Sequence, residues 1–504
     1  MNLKLLLIIV ALLNFFLPLD FVPLFDLDEG AFSEATREML ESGNYITTYL
    51  NGELRFDKPI LIYWFQALSV KLFGLNEFAL RLPSAIAASL WAVAIWHFTK
   101  RHFNEKTAFY ATLSMIGALQ INIIAKAAIA DALLNLFITL SLFCVWLYLE
   151  SKRLRYLYFA FAAIGVGFLT KGPVAILIPL ATTFFYLLLK RDLKQFVKIV
   201  FNPIGIVIFL SIAMPWYILE YIDQGEKFIN GFFLKHNLER FHSSFENHRG
   251  SLFYYIPVVL IGLLPFTTPL LKAFYRIKSN LREPIMQYLF LWFLFVFLFF
   301  SLSGTKLPHY VIYGYTPLFL FIGQIMAKSK TQLTWGFLFP ILLLLGVLLF
   351  FPAILNHLTP KNSYYAALFH SGKEVFGVKF QIITATLILL FIALRSLSLQ
   401  QELKVTLIAL LFGLYINMVV IRNYALVVQQ PIKEAALYAK KHNLHVMLYH
   451  FTKPSFLVYR QELSPKKKPK PGDYLLTQKH NLAKFKKYSV QYSKNGLYLI
   501  RIEK

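Results

Sequence analysis

Long apolar runs are the feature that most limits what this chain can fold into. An α-helix needs about 20 mainly apolar residues to cross the hydrocarbon core of a bilayer, and it satisfies its own backbone hydrogen bonds there. Runs near that length recur along the whole sequence. The sequence therefore predicts an all-α polytopic membrane protein of about 13 transmembrane helices, with spans at residues 4–19, 82–99, 107–123, 132–149, 156–169, 172–189, 200–219, 251–272, 284–302, 308–326, 333–351, 378–396 and 404–421.

The composition supports a membrane protein. Hydrophobic residues make up 57% of the 504 residues, and charged residues make up 15%. A water-soluble domain cannot bury so large an apolar fraction. The single cysteine, Cys144, lies within an apolar run, so the sequence excludes a disulfide framework and a thiolate metal cluster.

The protein has a net charge of +25, and its basic residues are distributed in a pattern that matches the predicted spans. Lysine and arginine crowd every second connecting segment, for example at 100–106, 152–155 and 190–198. The positive-inside rule assigns these segments to the cytoplasm, so in a cytoplasmic (inner) membrane the N-terminus is predicted inside and the C-terminus outside. Because the excess charge orients the helices, it gives no argument for nucleic acid as a partner.

The same topology divides the chain into two predicted domains. Residues 1–428 are expected to form the transmembrane domain, with an outer catalytic loop at 20–81, and residues 429–504 a small basic extracytoplasmic domain. Short β-like runs at 445–451, 474–477 and 497–502 predict an α/β fold for this second domain. Its basic surface is either a solvated face or a surface attracted to anionic lipid.

The outer loop at 20–81 contains a concentration of polar groups. Asp26-Leu27-Asp28-Glu29-Gly30 follows the first span, and apolar residues then recur at helical spacing as far as Gly43, opposite a polar face with Glu34, Arg37, Glu38 and Glu41. The pattern predicts an amphipathic helix along the outer membrane surface. Asp28 either caps this helix or carries chemistry at the outer face.

Further motifs follow at the predicted outer face within the first 330 residues. In chain order the motifs are Asp28-Glu29, Arg37-Glu38-Met39, Asp57-Lys58-Pro59, Tyr63-Trp64, Lys71-Leu72-Phe73-Gly74, Arg81-Leu82-Pro83-Ser84, Leu169-Thr170-Lys171-Gly172-Pro173, His236, Arg240-Phe241, Tyr254-Tyr255-Ile256-Pro257 and Ser303-Gly304-Thr305-Lys306-Leu307-Pro308-His309-Tyr310. This series resembles the polyprenyl-phosphate-sugar glycosyltransferases of the GT-C fold. More narrowly, it is similar to the superfamily of lipid A aminoarabinosyltransferases and protein O-mannosyltransferases. Aminoarabinosyltransferases have an arginine shortly after the Asp-Glu pair, where this chain has Gly30-Ala31-Phe32, so the donor sugar stays open.

The resemblance implies an inverting glycosyltransferase. Such an enzyme moves a sugar from a polyprenyl-phosphate donor to an envelope acceptor such as lipid A on the outer, periplasmic side of the membrane. A protein hydroxyl or a polysaccharide is the alternative acceptor. A membrane transporter is the rival from a different class, but its usual internal repeat is not visible in the sequence.

The resemblance also implies roles for individual side chains. Asp28 matches the family's catalytic aspartate, and Glu29 beside it is the second catalytic candidate. The donor phosphate is expected to contact Lys58, Arg240, Lys306 and Tyr310, and the other site candidates are Asp57, Arg81, Asp131, Lys171, His236 and His309. For Lys171, anchoring to lipid headgroups is the alternative to binding the donor phosphate. The cations of the donor site could stabilise the phosphate without a cofactor, and a divalent metal on Asp57 and His236 is the alternative to histidines in exposed loops.

Overall fold

The structure is a computed structural model that describes residues 2–239, 250–329, 333–449 and 451–504. Each of the thirteen predicted spans falls on one helix or on consecutive helices, which confirms the all-α polytopic class. Within the described residues, seven helices are long and apolar enough to cross a membrane, or eight if one bent pair counts as a single span. The number of thirteen crossings is therefore not confirmed.

The helices of the first half of the chain carry most of the predicted motifs at their ends. They are α1 (Leu3–Ala11), continued by a π-helix (Leu12–Phe16), α2 (Asp28–Ser42), α3 (Leu61–Phe73), α4 (Glu77–His102), α5 (Glu105–Gly117), α6 (Leu119–Ile124), α7 (Asp131–Ser151), α8 (Leu154–Lys171), α9 (Val174–Leu189), α10 (Leu193–Val200), α11 (Pro203–Gln224), α12 (Glu226–Phe228) and a π-helix (Ile229–Glu239).

The second half continues the helical bundle and then enters the C-terminal unit. Its helices are α13 (Tyr255–Gly262), α14 (Thr267–Tyr275), α15 (Ile277–Asn280), α16 (Pro284–Leu302), a 3-10 helix (Pro308–Gly314), α17 (Tyr315–Lys328), α18 (Trp335–Leu349), α19 (Phe351–His357), α20 (Ser363–Val375), α21 (Val378–Ser396), α22 (Gln401–Tyr415), a π-helix (Ile416–Ile421), α23 (Arg422–Val428), α24 (Gln430–Lys441), α25 (Pro454–Arg460) and a 3-10 helix (Lys479–Lys484).

Breaks in two of the predicted spans, 107–123 and 251–272, contact each other. Ala118 is extended between α5 and α6, and the segment around Pro265 separates α13 from α14. Proline lacks the amide hydrogen that continues a helix. The amide of Leu119 donates to the carbonyl of Leu264 at 2.8 Å. One break therefore supplies a hydrogen-bond partner to the other, as buried polar backbone requires.

The helix α2 has the predicted bounds but different surroundings. It begins at Asp28 and ends before Gly43, whose φ of +70° is left-handed. Its residues from Glu29 to Met39 are buried, because α3 and the C-terminal helix α25 both pack on it. Glu34 and Arg37, expected on an exposed face, form a buried ion pair at 2.6 Å. The expectation of a solvated polar face was wrong because tertiary packing covers it.

The residues after 429 form the predicted α/β unit. Its sheet has the strand order β3-β4-β6-β5, with β3 parallel to β4 and the other pairs antiparallel. The strands are β3 (Val446–Leu448), β4 (Tyr474–Gln478), β5 (Tyr488–Lys494) and β6 (Leu497–Ile502). The sequence pattern missed β5, because an edge strand without a fully buried face has a weak apolar signal.

Candidate active site

A polar cavity of about 220 Å³ lies beside the start of α2. Segments that are far apart in the sequence line this cavity, including the loop before α2, the start of α7, the end of α8 and a stretch of the C-terminal unit. The predicted site residues that it brings together are Asp28, Asp57, Lys58, Asp131, Lys171, His309 and Tyr310. We call it the polar cavity.

Asp28 is the first residue of α2, and its side chain is exposed. The residue before it, Leu27, occupies the N-cap position, where no side chain bonds the first turn. The predicted cap is therefore not formed. Within the described part of the chain, the Asp28 carboxylate has neither a hydrogen bond nor an ion pair. A carboxylate that lines a cavity without such partners is available to a substrate.

The carboxylate of Glu29, the next residue, is instead bonded to several groups of the protein. Its carboxylate receives two hydrogen bonds from Arg81, at 2.9 and 2.8 Å, and others from the amides of Phe25 and Ala128. Both side chains are buried, with 6% of Glu29 and 2% of Arg81 exposed. The remaining donors of Arg81 bond the carbonyls of Leu19, Val22 and Pro23. The Glu29 and Arg81 pair therefore fixes the loop that presents Asp28.

A short hairpin of β1 (Tyr49–Leu50) and β2 (Glu53–Leu54) leads to the cationic side of the polar cavity. The guanidinium of Arg55 lies 3.2 Å from the carboxylate of Asp57. The ammonium of Lys58 donates to the Asp57 carbonyl at 2.9 Å. Burial acts to lower the pKa of Arg55, but Tyr63 and Asp57 raise it above the ordinary value, so this cation stays charged. The sequence analysis missed Arg55, because this residue lies outside the Asp57-Lys58-Pro59 motif that carries the resemblance.

Asp131 and Lys171 form a second charged pair in the polar cavity. The Lys171 ammonium donates to Asp131 at 2.7 Å and to the hydroxyl oxygen of Tyr313 at 2.6 Å. Tyr313 in turn donates to the same oxygen of Asp131. The rings of Tyr310 and Tyr313 lie 5.6 and 5.3 Å from the ammonium. Lys171 is therefore directed into the cavity by α7 and the segment before α17.

Other predicted site residues are not brought into this cavity. Lys306 is buried, and its ammonium donates to the carbonyl of Ser303 at 2.8 Å instead of lining the polar cavity. Arg240 and the side chain of His236 lie outside the described residues. Where the structure describes the chain, no group of three or more His, Cys, Asp or Glu side chains is placed to hold a metal ion. The metal on Asp57 and His236 stays a prediction.

The C-terminal unit supplies a wall that the sequence did not indicate. Thr452 and Pro454 line the polar cavity. Asp26 accepts hydrogen bonds from the amide and the hydroxyl of Ser455, at 2.9 and 2.7 Å. Burial raises the pKa of the Asp26 carboxyl. These contacts hold α25 against the loop that carries Asp28.

The contact between α25 and the loop that carries Asp28 explains why residue 30 is a glycine. A Cβ at this position would lie 2.5 Å from the amide nitrogen of Ser455 and 2.6 Å from a carboxylate oxygen of Asp26. Both distances are shorter than a van der Waals contact, so a larger residue would displace α25 or the Asp26 side chain. The glycine after the Asp-Glu pair therefore reflects close packing of the C-terminal unit.

The chain is similar to known proteins in sequence and in fold. The family model described as dolichyl-phosphate-mannose-protein mannosyltransferase matches residues 57–219. An uncharacterized protein of Aquifex aeolicus is 31% identical over 326 residues, which cover 64% of this chain and 74% of that protein.

Two similar proteins are named undecaprenyl phosphate-alpha-4-amino-4-deoxy-L-arabinose arabinosyl transferase. The one from Yersinia enterocolitica is 31% identical over 318 residues, covering 61% of this chain and 56% of the relative. The one from Aeromonas hydrophila is 31% identical over 326 residues, covering 63% of this chain and 58% of the relative. The chain thus spans little more than half the length of these transferases.

A solved structure shares the fold over nearly the whole chain. The crystal structure of ArnT from Cupriavidus metallidurans bound to undecaprenyl phosphate matches with a TM-score of 0.80 at 22% identity, covering 99% of this chain and 97% of that one. Sequence relatives and fold agree with the family resemblance seen in the sequence. The chain therefore shares the fold of this transferase and resembles the polyprenyl-phosphate-sugar glycosyltransferases of the GT-C fold, which include the lipid A aminoarabinosyltransferases and the protein O-mannosyltransferases.

Proposed function

We propose that this chain transfers a sugar from a polyprenyl phosphate to an envelope acceptor, with inversion at the anomeric carbon. The polar cavity carries the proposal, since Asp28 shares it with the cations Lys58, Arg55 and Lys171. Such a site combines a carboxylate for the acceptor with positive charge for a phosphate leaving group. Lipid A is the preferred acceptor, and a polysaccharide or a protein hydroxyl is the alternative.

The leaving group explains the cations. When the bond between the anomeric carbon and the phosphate oxygen breaks, its electron pair stays on the polyprenyl phosphate. Lys58 and Arg55 would stabilise this charge, and Tyr310 would donate a hydrogen bond to it. Lys171, held by Asp131, adds a further positive charge whose position is set by the fold.

The acceptor decides what Asp28 does. The acceptor oxygen forms the new bond to the anomeric carbon. If that oxygen belongs to a hydroxyl group, its proton passes to the Asp28 carboxylate. If it belongs to a phosphate that is already ionised, Asp28 instead orients it and stabilises the positive charge that develops on the sugar.

The proposed orientation places the polar cavity at the outer face of the membrane. The multi-pass helices support a membrane protein, and the basic segments that alternate with the motif-bearing ones favour a cytoplasmic N-terminus. A polyprenyl-phosphate sugar in the outer leaflet would then reach the cavity between apolar helices. The C-terminal unit would lie outside the membrane, where its contact with α2 encloses the cavity.

Mass spectrometry of envelope glycolipids and glycoproteins tests the proposal. Cells that produce the chain are expected to contain a glycolipid heavier by one sugar residue, and cells that produce Asp28→Asn are expected to lack it. The proposal is contradicted if both lipid and protein profiles are unchanged while proteoliposomes with the purified chain take up an unmodified solute. That result would favour a transporter.

Replacing Lys58 by glutamine should weaken donor binding. A lost charge-assisted hydrogen bond lowers affinity by about 10- to 100-fold, so the Kd for undecaprenyl phosphate should rise by that factor. The matched control is Lys71→Gln, because Lys71 is exposed at the end of α3 and does not line the polar cavity. Equilibrium binding to the purified protein in nanodiscs measures both. An unchanged Kd in Lys58→Gln would remove Lys58 from the donor site.

A further inference from the structure

A second cavity, of about 250 Å³, shares Asp28 with the polar cavity. The two cavities have Leu27, Asp28 and Ile129 in common, and the rest of their walls differ. The second one is lined by Lys126, from the segment between α6 and α7, and by Asn417, from the π-helix after α22. We call it the Lys126 cavity.

Lys126 is a buried lysine without a carboxylate partner in the described part of the chain. Only 8% of the residue is exposed, and its ammonium donates to the backbone carbonyl of Asn14 at 2.7 Å. An ammonium has three donors, so two remain for a ligand. Burial and the neighbouring charge of Arg81 lower the pKa of Lys126. A bound anion would offset both effects.

Three carboxylates line this cavity, and two of them are bonded to other groups of the protein. Glu29 is bonded to Arg81, and Asp26 is bonded to Ser455. Asp28 belongs to both cavities. The wall of the Lys126 cavity therefore offers a lysine side chain that none of the described carboxylates binds.

Asn417 adds a hydrogen-bond acceptor. The residue is 3% exposed, and its amide nitrogen donates to the carbonyl of Gly413 at 2.7 Å, which orients the side chain. Its side-chain oxygen is buried and has no hydrogen-bond partner among the residues that the structure describes. Buried acceptors are normally satisfied, so a ligand hydroxyl is the group that fits here. The apolar side chains of Val22, Ile123 and Ile421 complete the wall.

We propose that the Lys126 cavity binds the headgroup of the acceptor, and that this headgroup is a phosphorylated saccharide on a lipid. Lys126 binds the phosphate, and Asn417 accepts a hydrogen bond from a sugar hydroxyl. This inference rests on the proposed function. Inversion requires the acceptor oxygen to approach the anomeric carbon from the side opposite the leaving phosphate, so donor and acceptor need separate spaces beside Asp28, and the two cavities share only Leu27, Asp28 and Ile129.

Binding without turnover tests this site separately from the reaction. The probe is an acylated disaccharide with one phosphate, and its dephosphorylated form and undecaprenyl phosphate are measured in parallel on the full-length protein in nanodiscs. In Lys126→Gln, the Kd for the phosphorylated glycolipid is expected to rise about 10- to 100-fold. The Kd for undecaprenyl phosphate should not change. The dephosphorylated glycolipid should bind weakly and equally to both proteins.

A second variant keeps the test decisive if Lys126→Gln does not fold. Asn417→Asp retains the size of the side chain and places a negative charge beside the ligand phosphate, so the affinity for the phosphorylated glycolipid should again fall. Unchanged affinity in a folded variant, or loss of undecaprenyl phosphate binding instead, would overturn the assignment. Failure of the unmodified chain to transfer any sugar would contradict the proposed function, whereas these binding results would still decide the Lys126 cavity.

Discussion

Asp28→Asn should lower sugar transfer by about 100- to 10,000-fold, the range expected when a positioned acid or base is lost. Asparagine keeps the shape of the side chain but removes the charge and the ability to take a proton. Because Asp28 has no hydrogen bond or ion pair to other described residues, the fold should not depend on its charge. The rate of transfer from a polyprenyl-phosphate sugar, measured with the purified protein, checks this expectation.

Two controls define the result for Asp28. Asp20→Asn changes another exposed carboxylate of the same loop that does not line either cavity, and it should retain the full rate. The Kd for undecaprenyl phosphate should stay within about threefold in Asp28→Asn, since Lys58 and Arg55 remain. A full transfer rate in Asp28→Asn would show that the carboxylate does not take part in the reaction.

Arg81→Ala should be the most destabilising of these changes. It leaves the buried Glu29 carboxylate without its counter-ion and removes the donors to three loop carbonyls. Breaking a buried ion pair on one side costs about 3–5 kcal/mol. Thermal unfolding of the purified protein in detergent, followed by tryptophan fluorescence, measures the loss. Glu29→Gln should show a smaller loss in the same assay.

The surface pair of Arg101 and Glu150 provides the matched control. Their charged groups are 3.3 Å apart and about half exposed, so Arg101→Ala should cost at most about 1 kcal/mol. If Glu29→Gln lost transfer at an unchanged unfolding temperature, Glu29 would be a catalytic group, as the sequence motif suggested. Equal stability losses in Arg81→Ala and Arg101→Ala would contradict the structural role of the buried pair.

Much of the fold could be predicted because it depends on local pattern. The apolar run at 132–149 has to be helical in a bilayer, and α7 extends over Asp131–Ser151. Gly43 ends α2 where the apolar spacing stops. The breaks at Ala118 and Pro265 were less visible, because the hydrogen bond between Leu119 and Leu264 joins segments that are distant in the chain.

The candidate site was predicted in part. The motif order indicated Asp28, Lys58, Lys171 and Tyr310, and the structure brings all four to one cavity. The motif order could not indicate Thr452, which lines the same cavity, because this residue lies far along the chain from the motifs and carries no local signal. The same limit applies to Lys306, whose motif position suggested a phosphate ligand while its ammonium bonds the carbonyl of Ser303.

The neighbours Asp28 and Glu29 show most clearly what the sequence determined and what it did not. The sequence alone determined a multi-pass helical protein with a carboxylate pair at the start of the helix that follows the first span, because hydropathy and helical period are properties of short segments. Only the tertiary structure decided their roles. Consecutive helix residues point about 100° apart, so Glu29 meets Arg81 while Asp28 lines the polar cavity. The role of each charge is thus set by the groups that folding brings within a few ångströms of it.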